Sequence, residues 1–280
     1  MVLTWTVAAA VLVGALLHAG WNALIKSSSD KSLDTALLQL LGCALGLPLV
    51  LVVGWPAAAS WPFLAGSTAI HLAYYAALSR AYHHGELGLA YPLMRGTAPL
   101  LVALATAATI GESPSALTWV GVAGISLGVL ALGLSRQALA SPRAVAFALA
   151  NAVVIAAYTI TDGLGVRASG SALQYVAALF ALHGWPFVLL VLARRGRSFW
   201  PYARRRWPLA TLGALASLAS YGIALWAMTR APVATIAALR ETSVLFAALL
   251  GTWLLKESFT PQRAAATALI VAGVMALRLG

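Results

Sequence analysis

The sequence predicts an all-α integral membrane protein with ten transmembrane helices, arranged as two five-helix repeats of inverted topology. Three observations predict it: very few charged residues, ten apolar stretches of spanning length, and a spacing of charged residues that recurs in the second half. The chain has 280 residues, of which 61% are hydrophobic and only 9% are charged. Soluble proteins carry about 25% charged residues, so lipid must cover much of this surface.

The net charge of +11 comes from 18 Lys and Arg residues against 7 Asp and Glu residues. The basic residues lie in short runs between apolar stretches, a pattern that orients membrane proteins and does not describe a nucleic-acid interface. We therefore exclude nucleic acid as a partner and expect the lipid bilayer of a bacterial-type inner membrane. The single cysteine, Cys43, can form no internal disulfide, and we interpret it as a packing residue.

The ten apolar stretches are each close to the length of about 20 residues that a spanning helix needs. They run from Val2 to Ile25, Thr35 to Gly54, Phe63 to Tyr82, Gly88 to Gly111, Leu117 to Leu134, Arg143 to Thr161, Leu173 to Ala193, Pro208 to Met228, Val233 to Leu255 and Arg263 to Leu279. The breaks contain residues that begin helices, among them Asp30 and Thr260-Pro261. No soluble domain fits between the helices.

An internal repeat relates the two halves of the chain. A shift of 145 residues places Arg95 on Arg240 and Glu112 on Glu257, and the spacing from Arg to Glu is 17 residues in both copies. We predict that residues 1–137 form the first repeat and residues 138–280 the second. Because five helices is an odd number, the second copy enters the membrane from the opposite side. Inverted repeats are common in secondary transporters, which bind substrate near the midplane between the halves.

Several motifs together resemble one family of transporters. They are His18-Ala19-Gly20-Trp21-Asn22 with Lys26, Tyr91-Pro92-Leu93 through Arg95 and Pro99, Gly111-Glu112 followed by Gly121 to Gly128, and Lys256-Glu257 followed by Gly273. With them, the whole chain resembles the EamA type of the drug/metabolite transporter superfamily. The resemblance implies secondary transport of small metabolites by alternating access, with the bacterial exporters of aromatic and other neutral amino acids as the nearest functional model. Multidrug or organic-cation efflux and exchange of sugar phosphates or nucleotide sugars stay open.

The orientation follows from counting basic residues in the connections. Connections after the odd-numbered predicted helices hold 13 Lys and Arg residues, and the opposite side, with both termini, holds 3. Cytoplasmic loops carry the excess of basic residues, so we predict that both termini lie on the non-cytoplasmic side. The family resemblance implies the opposite, because its ten-helix members are usually described with cytoplasmic termini. We follow the count, since the charge bias acts directly on insertion.

Two intramembrane arginines are the first candidates for a substrate site. Arg95 and Arg240 each lie about seven residues into a predicted helix, roughly 10 Å deep at 1.5 Å per residue. Such placement costs about 2.5–3.5 kcal/mol and marks a pathway or a partner. We predict that both line the pathway and bind a zwitterionic or anionic substrate. The alternative is a structural ion pair, with Glu241 pairing with Arg95 across the bundle. We expect Arg95→Gln to weaken substrate binding, and Arg240→Gln to unfold the protein if Arg240 satisfies Glu241.

A polar and aromatic lining is predicted around these arginines. His18, Trp21 and Asn22 share one face of the first helix through their i, i+3, i+4 spacing, and a polar stripe in lipid must face the interior. Trp21 can stack on a ring and Asn22 can bind a polar group, or the stripe makes hydrogen bonds between helices. The remaining predicted lining residues are aromatic: Tyr74, Tyr75, Tyr91, Tyr158 and Tyr221.

The other polar residues are assigned structural or surface roles. Asp162 lies near the predicted end of the sixth helix, so we assign it to the surface in preference to proton coupling. Glu112 and Glu257 are interpreted as helix-boundary residues. The sequence contains no clustered metal ligands, no phosphate-binding loop and no hydrolase motif, so we expect no cofactor or metal, and an enzyme is the weakest alternative. A passive channel ranks second. A monomer is the expected unit.

Overall fold

The computed structural model describes residues 3–26, 28–84, 87–133, 142–255 and 260–280, without the side chains of residues 26, 75–84, 87–90, 133 and 250–255. Within these ranges the chain forms eleven α-helices and one 3₁₀ turn, Ala58–Ser60, and no strand. The helices are α1 (Trp5–Lys26), α2 (Lys31–Val53), α3 (Trp61–His84), α4 (Leu87–Thr109), α5 (Ala116–Gly133), α6 (Pro142–Ala168), α7 (Ala172–His183), α8 (Trp185–Met228), α9 (Val233–Arg240), α10 (Thr242–Leu255) and α11 (Pro261–Leu279).

The predicted all-helical membrane fold is confirmed at this level. Five helical segments of the described chain are long and apolar enough to cross a bilayer: Trp5–Ile25, Lys31–Val53, Pro142–Ala168, Ala172–Met228 and Pro261–Leu279. Large apolar side chains face outward, including Leu51 at 76%, Val52 at 83% and Leu212 at 60% exposure. Exposure of so large an apolar surface to water is unfavourable, so lipid covers it. The count of ten spans and the inverted arrangement stay predictions.

The helix boundaries depart from the predicted stretches in three places. The sixth stretch, predicted to end at Thr161, continues as α6 to Ala168. The basic segment 194–206, predicted as a loop, is helical within α8, where only Arg195 has non-helical angles (φ −139°, ψ 22°). Arginine is a good helix former, and a prediction from hydropathy ends a helix where the charges begin although the backbone continues. The ninth stretch is interrupted at Glu241, between α9 and α10.

Close helix packing follows the small residues. The axes of α5 and α11 approach so closely that a Cβ atom on Gly121 would lie 2.8 Å from the backbone oxygen of Gly273. Glycine on both surfaces permits this contact, because neither helix presents a side chain there. Gly46 of α2 has the same role, since a Cβ there would meet the backbone of Ala181 in α7. Glycine therefore permits the close contacts between α5 and α11 and between α2 and α7.

The remaining contacts surround a central group of helices. α3 packs on α6, α1 packs on α8, and α2 packs on α7 and α8. α4 contacts α5, α6 and α9, while α1 contacts both α9 and α10. Two predicted caps are also present: Asp30 accepts hydrogen bonds from the backbone N–H groups of Ser32 and Leu33, and Thr260 accepts one from Arg263. These contacts place α4, α6 and α9 at the centre of the bundle, where the polar residues meet.

Candidate functional site

The central polar region is built on two irregular helices. Arg95 lies in α4 between Pro92 and Pro99, two residues that remove backbone hydrogen-bond donors from the helix. Arg240 is the last residue of α9, and Glu241 occupies the interruption before α10. Both arginines are buried, with exposed fractions of 7% and 8%. Interrupted helices are where membrane transporters place their ion and substrate contacts, because such helix ends have unpaired backbone groups.

Arg95 and Glu241 form an ion pair across the bundle. The Nε atom of Arg95 lies 2.8 Å from Oε2 of Glu241, and the two side chains are 9% and 5% exposed. This confirms the predicted pairing. The ion-pair partner of Glu241 is Arg95, whereas Arg240 lies only within electrostatic reach of this carboxylate. Arg95 is therefore the arginine with the structural contact.

Arg240 has a different environment. Its guanidinium lies 4.9 Å from the centre of the Tyr221 ring. In the part of the chain that the structure describes, no carboxylate lies within ion-pairing distance of Arg240. A cation over an aromatic face keeps its full charge and its hydrogen-bond donors available. Arg240 therefore has no ion-pair partner among the described residues, although the Glu241 carboxylate lies within its electrostatic reach.

A small cavity lies between these charged residues. Its volume is about 10 Å³. It is lined by Arg95, Ala98, Pro99, Val102, Ile155, Tyr158, Thr159, Ala237, Arg240 and Glu241. This volume holds about one water molecule and no metabolite. A larger ligand can therefore enter only if the surrounding helices move apart.

An aromatic cluster lies beside the cavity. The His71 ring stacks on Tyr158 with ring centres 4.5 Å apart, and Tyr74 meets Tyr158 edge-on at 6.0 Å. His183, which sequence reasoning did not identify, lies 5.3 Å from His71. The structure thus brings the predicted residues Tyr74 and Tyr158 together. The side chain of Tyr75 falls outside the described residues.

Asp162 is buried in this region and not on the surface as predicted. Its exposure is 0%. The Tyr175 hydroxyl donates a hydrogen bond of 2.9 Å to Oδ1, and the Tyr221 hydroxyl donates one of 2.5 Å to Oδ2. Gly165 provides the space, because a Cβ atom there would collide with the Tyr175 ring. The prediction was wrong because α6 extends to Ala168, which moves Asp162 from the helix end into the bundle.

The predicted polar stripe of α1 also faces inward. The His18 ring meets Trp21 edge-on with centres 5.0 Å apart, and it lies within electrostatic reach of Arg95 and Arg240. The Asn22 side-chain amide donates a hydrogen bond of 2.8 Å to the His18 backbone oxygen, so this contact lies within its own helix. The Trp21 indole N–H is buried with no acceptor among the described residues. Trp21 is therefore the member of the stripe with a donor still available.

The last predicted aromatic residue, Tyr91, has a packing contact. It is half-buried and lies against the main apolar core. It is also within electrostatic reach of Arg95, one turn further along α4. Tyr91 also lies within electrostatic reach of Tyr158, Arg240 and Glu241, so it belongs to the central region.

A polar cluster joins the two sequence halves at one end of the bundle. Glu112, which precedes α5, accepts hydrogen bonds from the backbone N–H of Val233 at 3.0 and 3.1 Å and pairs with Arg167 at 2.9 Å. Arg167 also donates to the backbone oxygens of Met228 and Ala231. Glu112 is a helix-boundary residue as predicted, but it caps α9 of the other half. We call these residues the Glu112 cluster.

A second cluster joins the halves at the opposite end. The Tyr202 hydroxyl donates to Asp34 at 2.9 Å, and the Arg206 guanidinium lies 3.3 Å from the same carboxylate. Arg195 pairs with Asp30 at 2.7 Å nearby. We call these residues the Asp34 cluster. Sequence reasoning missed it, because a pairing between α2 and α8 leaves no periodic signal in either helix.

Comparisons with known proteins agree with this architecture. The model of the EamA-like transporter family matches residues 142–279. A comparison with curated protein sequences found no match. Among the matching solved structures, one crystal structure superposes with a TM-score of 0.73 over 97% of this chain and 98% of that chain, at 23% sequence identity. At this identity the superposition shows a shared fold alone.

Proposed function

We propose that this protein exports aromatic and other neutral amino acids by alternating access. The EamA-like domain at residues 142–279 places the chain in the drug/metabolite transporter superfamily. The family and the apolar helices support a multi-pass transporter in contact with the lipid bilayer. Amino acids as substrates are supported by the position of Arg240, which has no ion-pair partner in the described residues and lies beside the ion-paired carboxylate of Glu241.

The charges around the cavity suit a zwitterion. The guanidinium of Arg240 can bind the carboxylate of an amino acid, because its planar arrangement of N–H donors matches the two carboxylate oxygens. The ammonium group of the amino acid can bind the carboxylate of Glu241. Arg95 contacts only one of the two oxygens of this carboxylate. The neighbouring rings of His71 and Tyr158 suit an aromatic or apolar side chain. A purely cationic substrate would have to face the excess positive charge.

The packing partners support the inverted repeat that alternating access requires. If each half contributes five spans, then α7 with the first part of α8 is the seventh span, the rest of α8 is the eighth, α9 with α10 is the ninth, and α11 is the tenth. Exchanging the halves turns the contact of α3 with α6 into that of α8 with α1, and both occur. The same exchange maps the contacts α2 with α7, α4 with α9 and α5 with α11 onto themselves. A two-fold axis between the halves predicts this set.

The two end clusters suit the role of gates. The Glu112 cluster and the Asp34 cluster each tie the first half to the second, at opposite ends of the bundle. A cavity of about 10 Å³ admits substrate only if the halves separate at one end. Separation at one end while the other cluster stays closed gives alternating access. A passive channel needs both ends open together, which these contacts oppose.

Orientation and assembly belong to the same proposal. We place the protein in an inner membrane as a monomer, with both termini non-cytoplasmic, because basic residues outnumber acidic ones mainly at the end that contains Arg194 to Arg206. Alkaline phosphatase and green fluorescent protein, each fused after Gly280, test the orientation. Phosphatase activity without fluorescence is expected, and the reverse pattern refutes the orientation while leaving the transport proposal intact.

Counterflow in proteoliposomes tests the function. Vesicles containing the purified protein are loaded with unlabelled L-phenylalanine and placed in labelled L-phenylalanine. A carrier gives saturable, transient accumulation of label, whereas a channel gives simple equilibration. Unlabelled L-tyrosine and L-leucine should compete, and tetraphenylphosphonium and glucose 6-phosphate should not. Competition by tetraphenylphosphonium alone would indicate cation efflux instead, and competition by glucose 6-phosphate alone would indicate sugar-phosphate exchange.

A further inference from the structure

We propose that the carboxyl group of Asp162 binds the proton that drives transport, and that Tyr221 links its protonation to Arg240 in the substrate site. The proposal rests on the transport function proposed above and adds the coupling ion to it. In chemical terms, Asp162 takes up a proton from water at one end of the bundle and releases it to water at the other. Substrate and proton bind alternately, so the exchange is an antiport.

The Asp162 carboxylate is surrounded by neutral hydrogen-bond donors. Asp162 is 0% exposed, and its hydrogen-bond donors are neutral hydroxyl groups, those of Tyr175 and Tyr221. Ser67 of α3 also lies within hydrogen-bonding reach. In the described residues no Arg, Lys or His lies within ion-pairing distance of it. An intramembrane carboxylate without a cation is costly, and such residues commonly form proton pathways.

Several titratable groups lie around Asp162. His71 of α3, His183 and Tyr175 of α7, Tyr221 of α8 and Arg240 of α9 face this region from four elements. Tyr158 of α6 and Arg95 of α4 lie beyond them at the cavity. Together they give a carboxylate with protonatable neighbours and no fixed counter-ion.

The two histidines can carry a proton towards the carboxylate. Nδ1 of each donates to a backbone oxygen, that of Ser67 for His71 at 2.8 Å and that of Leu179 for His183 at 2.7 Å. Only Nε2 of each ring is therefore left to accept a proton. With ring centres 5.3 Å apart, the imidazoles repel each other when both are charged, so they suit a relay of one proton.

Tyr221 connects Asp162 to the proposed substrate site. Tyr221 contacts Asp162 through its hydroxyl group and Arg240 through its ring face. When a proton adds to a carboxylate oxygen, a new O–H bond forms and the negative charge is lost. The hydrogen bond from Tyr221 then loses its charge assistance, which about halves its strength. Tyr221 is released, and Arg240 loses the ring that positions it. The arrangement that binds substrate therefore belongs to ionised Asp162.

The test uses a proton gradient on the full-length protein in proteoliposomes. With the vesicle interior acidic, the exterior alkaline and the potential clamped by valinomycin and potassium, the wild type should accumulate labelled L-phenylalanine severalfold above equilibrium. Asp162→Asn cannot exchange a proton and imitates the protonated carboxyl group, so it should lose this accumulation and show counterflow of L-phenylalanine that is weaker than that of the wild type and independent of pH. The matched control is Tyr175→Phe, which removes a donor from the same carboxylate but leaves it titratable, and it should keep gradient-driven accumulation.

Separate outcomes identify what fails. If wild-type counterflow is present but the gradient has no effect, or if Asp162→Asn still accumulates substrate, the proton site is refuted and the transporter stands. If the wild type shows no counterflow, the proposed function itself fails. If Asp162→Asn does not fold, proton release decides: adding L-phenylalanine to wild-type protein in lightly buffered detergent solution must release protons. The absence of release refutes the proposal.

Discussion

Arg95 and Arg240 occupy equivalent positions in the two sequence halves, yet they contact different partners. Arg95 pairs with a carboxylate, whereas Arg240 lies over the Tyr221 ring. The difference follows from the next residue, which is Gly96 in one half and Glu241 in the other. Gly96 cannot be larger without moving Leu130, because a Cβ there would lie 2.7 Å from that side chain. One repeat thus supplies the carboxylate that neutralises the arginine of the other, and the remaining arginine keeps its charge.

The largest effect should come from breaking the neutralised pair. Arg95→Gln leaves Glu241 buried without its cation, and removing one partner of a buried ion pair costs about 3–5 kcal/mol. We expect a large fall in melting temperature in detergent. The double variant Arg95→Gln with Glu241→Gln should recover much of it, because no unpaired charge remains. An unchanged melting temperature in the single variant would mean that the pair carries no stability.

The second effect separates binding from stability at Arg240. Arg240→Gln should fold like the wild type, because Arg240 forms no ion pair in the described residues and Glu241 keeps Arg95 as its ion-pair partner. Losing a desolvated contact to a substrate carboxylate costs about 2–5 kcal/mol, or at least roughly 30-fold in affinity. The half-saturation concentration in counterflow measures it. Arg240→Lys is the control, and it should recover part of the loss as a point charge without the planar fork.

A smaller effect should appear when the ring beneath Arg240 is removed. Tyr221→Leu eliminates the cation–π contact, which is worth about 0.5–2 kcal/mol. Tyr221→Phe keeps the ring but removes the hydrogen bond to Asp162 that holds the ring in place, so it should lose only part of this contact. We expect the Leu variant to bind L-phenylalanine more weakly than the Phe variant when both are compared at alkaline pH. Equal affinities would show that the ring does not position Arg240.

The smallest effect should come from an ion pair outside the central region. Arg195 and Asp30 approach to 2.7 Å, but their side chains are 47% and 25% exposed. Exposed pairs contribute about 0.2–1 kcal/mol, so Arg195→Gln should change the melting temperature little and leave counterflow intact. A loss comparable to that of Arg95→Gln would show that burial does not set the rank of these pairs.

The sequence predicts the helices and part of the site because both leave local signals. Apolar stretches locate the helices, and two rare arginines at matching positions identify the centre of the bundle. The pairing of Arg95 with Glu241 could also be predicted from the sequence, because the chain has few acidic residues that could pair with an arginine.

Other features depend on contacts that the sequence does not encode locally. Asp162 was misplaced because a hydropathy boundary at Thr161 ended a helix that continues to Ala168. The Asp34 and Glu112 clusters join elements far apart in the chain, and periodicity within one helix cannot reveal its neighbour. The different contacts of the two arginines, Arg95 with Glu241 and Arg240 with the Tyr221 ring, became clear only from the interatomic distances.

A cycle of ligand and protein changes tests the central claim most directly, namely that Arg240 binds the substrate carboxylate. Titration calorimetry compares L-phenylalanine with phenethylamine, which keeps the ring and the ammonium group and lacks the carboxylate. Wild-type protein should prefer L-phenylalanine by at least roughly 30-fold, in line with about 2 kcal/mol or more for the contact. Arg240→Gln should bind the two ligands about equally. If the variant keeps the full preference, the carboxylate is bound elsewhere and the account of Arg240 is wrong.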